Sequence, residues 1–197
     1  SVIDTAEAKV IRHLDVGLHP SAMVVSADGT RLYVANANSD SVSVVDTGSD
    51  QVLRTLNVRL FRSAPLGSSP NALALSRYGK TLYVANAANN AVAVVNPFDD
   101  ANAVQGFIPT GWYPTAVTLG ADGRQLCIAS GYGFGSIAPL PTGQTGRSYR
   151  DRVGVVSILD VPNAKQLAAF SAQVRLNNRE ERTPQRPAGR RHPVPMD

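Results

Sequence analysis

One repeat constrains this chain more than any other feature. The segment Pro20–Asn36, PSAMVVSADGTRLYVAN, recurs as Pro70–Asn86, PNALALSRYGKTLYVAN, and again as Pro114–Ser130, PTAVTLGADGRQLCIAS. The leading prolines are 50 and 44 residues apart. The first two copies run on into Val42–Asp46, VSVVD, and Val92–Asn96, VAVVN. The opening residues Val2-Ile3-Asp4-Thr5 match Val44–Thr47, a further 42 residues upstream. Self-similarity at such a period means that one supersecondary unit is stacked several times and buries its faces against its own copies.

Each unit reads as four short strands, because apolar β-branched or aromatic runs alternate and are cut by turn signals. Position A is Ala22–Ser26, Ala72–Ser76 and Ala116–Leu119. Position B is Leu32–Ala35, Leu82–Ala85 and Leu126–Ala129. Between them lie Asp28-Gly29, Tyr78-Gly79 and Asp122-Gly123, with glycine where a tight hairpin needs positive φ. A polar loop, 36–40 or 86–90, leads to position C at Val42–Val45 or Val92–Val95. A weaker outer strand D is expected near 51–58 and 104–108, and in the first unit over Lys9–Val16. Four strands every 42–50 residues is the period of a propeller blade.

The expected fold is therefore all-β: a partial β-propeller of about three to three and a half four-stranded blades, with a C-terminal helix and a disordered tail. Its propeller part spans 1–161, with a partial blade at 1–18 and blades at 19–60, 61–110 and 111–161. The helix is expected over 162–178, standing where the last blade's outer strand would be. It follows from Pro162 at a first helical turn and from the stripe Leu167, Phe170, Val174. The tail, 179–197, is rich in proline and arginine and has no apolar cluster to fold around. A run of blades short of a closed ring leaves edges and faces unpaired, so the segment is not expected to stand alone as a closed domain. With strand-like residues at its start and no initiator Met, the chain is expected to be a fragment.

The YVAN at Tyr33–Asn36 and Tyr83–Asn86, each followed by Val-x-Val-Val-Asp/Asn, resembles the YVTN-repeat (YncE-like) β-propellers. The likeness covers about 1–130 and resumes at 153–161. Gly67–Ser76, Phe107–Val117 and the glycine loop at 131–135 further resemble the propeller part of proteins that fuse a YncE-like propeller to an alkaline-phosphatase-like phosphoesterase domain. The resemblance implies missing blades or a fused phosphoesterase domain as structural partners. It also implies an extracytoplasmic location.

Phasing within the repeat explains one conspicuous motif. Residues 126–136, LCIASGYGFGS, feed an apolar run into glycines at 131, 133 and 135. Pro-to-B-strand and B-to-C spacings are 13 residues in the first two blades, but Cys127 to Asp160 is 33. The third blade thus carries an insertion of 20 residues, about 131–152, between positions B and C. A dinucleotide fingerprint would need a third glycine at Ser136 and a helix close behind, yet Pro139 and Pro141 intervene. Gly-Lys-Ser/Thr, which a P-loop requires, is absent.

In a propeller the B–C loops and the D–A connections between blades open on one face. That face gathers Trp112, Tyr113, Tyr132, Phe134 and Ser136 with His19, Arg62, Asn38 and Asn89, and these are the candidate binding residues for a ligand or protein. The alternative for Trp112 and Tyr113 is that they pack beneath the insertion. No local catalytic motif is present, so a non-catalytic binding or scaffold role is expected, with the propeller portion of a phosphoesterase as the alternative. Three histidines, His13, His19 and His192, stand apart, and neither a cofactor nor a metal site is expected. A single cysteine, Cys127, excludes an internal disulfide and reads as a small core residue. Of the net charge of +4, most comes from residues 175–197, which hold six arginines against two glutamates and one aspartate. A nucleic-acid partner is therefore not expected, nor is a membrane span, since no apolar run approaches the ~18 residues one requires.

Overall fold

The computed structural model describes residues 1–61, 63–134 and 153–180. A hairpin of β1 (Val2–Asp4) and β2 (Lys9–Arg12) forms a half-blade. Next come two four-stranded antiparallel blades, β3 (Pro20–Val25), β4 (Arg31–Asn36), β5 (Ser41–Asp46), β6 (Gln51–Asn57), and β7 (Pro70–Leu75), β8 (Leu82–Asn86), β9 (Ala91–Val95), β10 (Val104–Pro109). The third blade has three strands, β11 (Pro114–Leu119), β12 (Gln125–Ser130) and β13 (Val155–Asp160). Helix α1 (Ala164–Asn177) follows. Strand order within each sheet is sequence order. Among the described residues, no helix is long and apolar enough to cross a membrane.

Every innermost strand begins on the repeat proline, where a ladder amide is not yet needed, and its register slips by one residue directly afterwards. The hairpins that follow turn on Gly29, Gly79 and Gly123, with φ of +73°, +70° and +70°. In each, the glycine amide donates to the carbonyl three residues back, Ser26, Ser76 or Gly120.

The core lies between blades rather than within them. Tyr33, Val42, Val44 and Leu56 of the first blade meet Leu82, Val84, Ala93 and Phe107 of the second. The other face of the second blade, Tyr83, Ala85, Val92 and Ile108, meets Val117, Leu126 and Ile128 of the third. The tyrosine of YVAN is thus an interior residue, and burial raises the phenol pKa of both Tyr33 and Tyr83. A middle blade buries both faces, which is why β8 and β9 are buried throughout. On the third blade, the face turned away from the second carries Val156 and Ile158, which are exposed, and half-buried Cys127. The cysteine pairs in register with Ile158 on that face, so it is not the core residue its neighbours suggested.

Two sequence expectations about the elements need correction. First, α1 does not take the place beside β13. It packs over β10 of the neighbouring blade: the hydroxyl of Ser171 accepts the Phe107 amide at 2.9 Å, and Leu167 sits against Gly106, where an added Cβ would lie 2.7 Å from Leu167 Cγ. The hydroxyl satisfies an edge-strand amide that would otherwise be left without a partner. Asn163 caps the helix with a reciprocal Gln166 capping box. Second, β2 ends at Arg12, because residues 13–19 are needed to cross from the outer rim to β3. The turn between β9 and β10 is held by its two aspartates. Asp99 accepts the amides of Ala101 and Asn102, and Asp100 pairs with Arg54 of the first blade at 3.1 Å. The expected tail lies outside the described residues from 181 onward.

Candidate functional site

The loop face is assembled by backbone hydrogen bonds that recur in each blade. The two residues after β4, β8 and β12 donate to the two carbonyls before the proline of the same blade. Ala37 and Asn38 bond to His19 and Leu18, Ala87 and Ala88 to Ser69 and Ser68, and Gly131 and Tyr132 to Tyr113 and Trp112, all within 2.9–3.2 Å. The residue before each proline sits at positive φ: His19 at 55°, Ser69 at 52°, Tyr113 at 57°. Residues preceding proline ordinarily favour extended backbone, and a non-glycine residue at positive φ costs of order 1–3 kcal/mol. The paired clamps hold it there in three copies.

A second linkage ties each B–C loop to the connection entering the next blade. Asp40, 1% exposed, accepts the amides of Gly67, Ser68 and Ser69 at 2.8, 2.8 and 3.1 Å, and Arg59 Nε lies 3.6 Å away. At the matching position of the second blade, Asn90 Oδ1 accepts the Tyr113 amide at 2.8 Å. Neither residue was singled out from the sequence. The signal was available: both lie four residues after the asparagine of YVAN, and both are Asp/Asn.

These clamps hold the aromatic candidates. Gly111 passes so close to the insertion that an added Cβ would lie 2.7 Å from Gly133 O, and one on Gly133, at φ +54°, would lie 2.2 Å from Val153 O. The Trp112 amide donates to Gly133 O at 2.7 Å. One of the glycines that suggest a phosphate loop, Gly133, is therefore spent with Gly111 on close backbone approach, where the insertion leaves and rejoins the blade. Tyr113 stacks on Tyr132, with centroids 5.0 Å apart and planes at 27°. Tyr113 is half-buried in that stack, while Trp112 is 45% exposed, Tyr132 39% and Phe134 73%. The structure brings these four together at the junction of the second and third blades.

The remaining candidates separate from them. His19 and Asn38 are exposed and belong to the loops where the half-blade enters the first blade. Asn89 is half-buried; its carbonyl accepts Asn178 Nδ2 at 3.0 Å, which ties the end of α1 to the loop. Arg62 and Ser136 lie outside the described residues. Among the described residues, no group of three or more His, Cys, Asp or Glu side chains is placed to hold a metal ion.

The family described as "Lactonase, 7-bladed beta-propeller" matches over residues 3–109, from the half-blade to the end of β10. No curated protein matches the chain. Among solved structures, hydrazine synthase of Kuenenia stuttgartiensis is similar with a TM-score of 0.50 and 26% identity, over 62% of this chain and 33% of that one. A chain from the structure titled "Crystal Structure of Mitotic Checkpoint Complex" is similar at a TM-score of 0.51 and 20% identity, over 72% and 35%, a likeness of fold alone. The chain thus spans about a third of the length of these two structures.

Proposed function

The chain belongs to the lactonase family of seven-bladed β-propellers, and from that membership we propose that it supplies consecutive blades whose loop face acts as a binding module. The observation that carries the proposal is the set of exposed aromatic side chains Trp112, Tyr132 and Phe134 on backbone fixed by the Gly133 and Tyr113 hydrogen bonds. Large rigid aromatics exposed side by side favour a partner surface, because they offer apolar area at little entropic cost. Positioning by a rigid scaffold is how loops come to carry recognition.

Trp112 is the only tryptophan in the chain, so its emission reports on this face directly. A saturable emission change is expected with a ligand from a panel of sugar lactones and short peptides, and Phe134→Ala should weaken it about tenfold or more. Unchanged emission across the panel would count against the proposal. Lactone hydrolysis above the spontaneous rate, abolished by Trp112→Ala, would replace binding with catalysis. The resemblance to phosphoesterase fusions supports a further reading, in which these blades precede a metal-dependent phosphoesterase outside the cell's cytoplasm. The coding sequence downstream of the propeller decides that point.

A further inference from the structure

A different gap between blades carries a second site. The first and second blades present the same register to the blade before them, but with opposite chemistry. In the second blade, Ala91 pairs with Pro109 and Ala93 with Phe107. Phe107 and both alanines are buried in the apolar core against the first blade. In the first blade, the matching pairs are Ser41 with Asn57 and Ser43 with Thr55. Threonine in place of phenylalanine removes volume, and the two hydroxyls remove the apolar lining. A cleft of about 500 Å³ results, between β5 and β6 on one side and the 15–17 segment on the other.

The floor of this cleft is polar and only partly satisfied. Ser41 and Ser43 are 6% and 0% exposed, and their Oγ atoms accept Asn36 Nδ2 at 3.2 and 3.0 Å. Having accepted, each hydroxyl keeps its own proton to donate. Asn36 itself is fully buried behind the serines and does not line the cleft. Beside these two hydroxyls, Thr55 and Asn57 add an exposed hydroxyl and a side-chain amide, so the lining suits an occupant that both donates and accepts. Only one formal charge, Asp15, lines the cleft, and Val52 supplies an apolar wall. Charged ligands gain little there, and a purely apolar one would leave the hydroxyls unpaired. The volume falls in the range of small-molecule sites.

We propose that the cleft between the half-blade and the first blade binds a small uncharged polyhydroxylated molecule, of monosaccharide size, through Thr55 and Asn57, with Ser41 at its floor and Ser43 behind them. It is separate from the aromatic junction of the second and third blades and does not depend on that surface.

The test uses the full chain and D-glucose as probe. Saturation-transfer NMR should show millimolar binding, and the Val52 methyl signals should shift on titration, which locates the sugar in the cleft. The double variant Ser43→Ala, Thr55→Phe installs the residues the second blade uses at these positions. It should weaken binding at least tenfold with its fold intact by circular dichroism. Should that variant misfold, Thr55→Val alone should still weaken binding severalfold, since one exposed hydroxyl is lost at nearly constant volume. Absence of transfer at about 20 mM glucose, well above a millimolar Kd, would overturn the proposal and leave the cleft as a water site. So would unmoved Val52 signals, or full binding by the folded double variant.

Discussion

The carboxylate of Asp40 accepts the amide of Ser68 at 2.8 Å, joining the loop after β4 to the connection that enters the next blade. The same carboxylate takes the amides of Gly67 and Ser69. Asp40→Ala leaves three donors without their acceptor, and the expected loss is about 3 kcal/mol of stability. Asp40→Asn keeps one amide oxygen, as Asn90 does in the second blade, and should lose less. Denaturant midpoints of the two variants measure the difference. Amide exchange at 67–69 should rise in Asp40→Ala before it rises in β7.

Two glycines at positive φ should differ in what they tolerate. Gly29 has nothing within 4 Å of an added Cβ, so Gly29→Ala costs only the left-handed backbone, about 1–2 kcal/mol. Gly133 has the same backbone preference, but its Cβ would lie 2.2 Å from Val153 O. There the peptide must move, and the Trp112 amide loses its bond to Gly133 O. Gly133→Ala should therefore cost more than Gly29→Ala and should change Trp112 emission, which Gly29→Ala leaves alone. Equal melting temperatures for the two variants would contradict this.

The contrast shows what the sequence carried and what it did not. Blade period, hairpin glycines and the insertion were legible because Pro, Gly and YVAN recur at fixed spacing, and local backbone conformation follows from local residues. The position of α1 was not legible, since a helix amphipathic enough to cover a strand does not say which strand. Gly106, which lets Leu167 approach β10, stands where the register of the first blade has Arg54. The left-handed backbone at His19 and Tyr113 ran against the ordinary behaviour of residues before proline and became visible only with the clamps that hold it. Of the candidate site residues, the aromatics followed from loop phasing. The difference between Ser43-Thr55 and Ala93-Phe107 emerged only from register, because β5 and β6 are joined by a shorter turn than β9 and β10 and direct alignment fails there.

Acid should act first on the turns. Asp28 accepts the hydroxyl of Ser26 and both the amide and hydroxyl of Thr30, and these bonds lower its pKa from 3.8 to about 2. Asp46 is lowered in the same direction, mainly by the Ser49 amide and hydroxyl, with Arg31 beside it. A carboxyl depressed on folding stabilises the fold above its unfolded pKa, and that contribution is lost as pH falls through the folded value. For Asp28 the window runs from about 4 down to about 2. Carboxyl carbon shifts should titrate with a midpoint near the lower end, and Asp28→Asn should flatten the acid limb of the stability profile. A midpoint near 4 for Asp28 would mean that the turn bonds do not persist in solution.

The seat of α1 on β10 makes a sharper demand, because it depends on one missing methyl and one hydroxyl. A Cβ on Gly106 would lie 2.7 Å from both Leu167 Cγ and Ser171 Oγ, so Gly106→Ala should lift the helix from the strand. Ser171→Ala should leave the helix in place but strip the Phe107 amide of its acceptor, at about 1–3 kcal/mol. The two variants are distinguishable by exchange. Gly106→Ala should raise exchange along the whole of 164–177 and expose Val174, which is 1% exposed in the intact fold. Ser171→Ala should raise it at Phe107 alone. Helix amides that remain protected in Gly106→Ala would show that α1 is held by its Asn178–Asn89 tie and by Val174 rather than by its fit to β10.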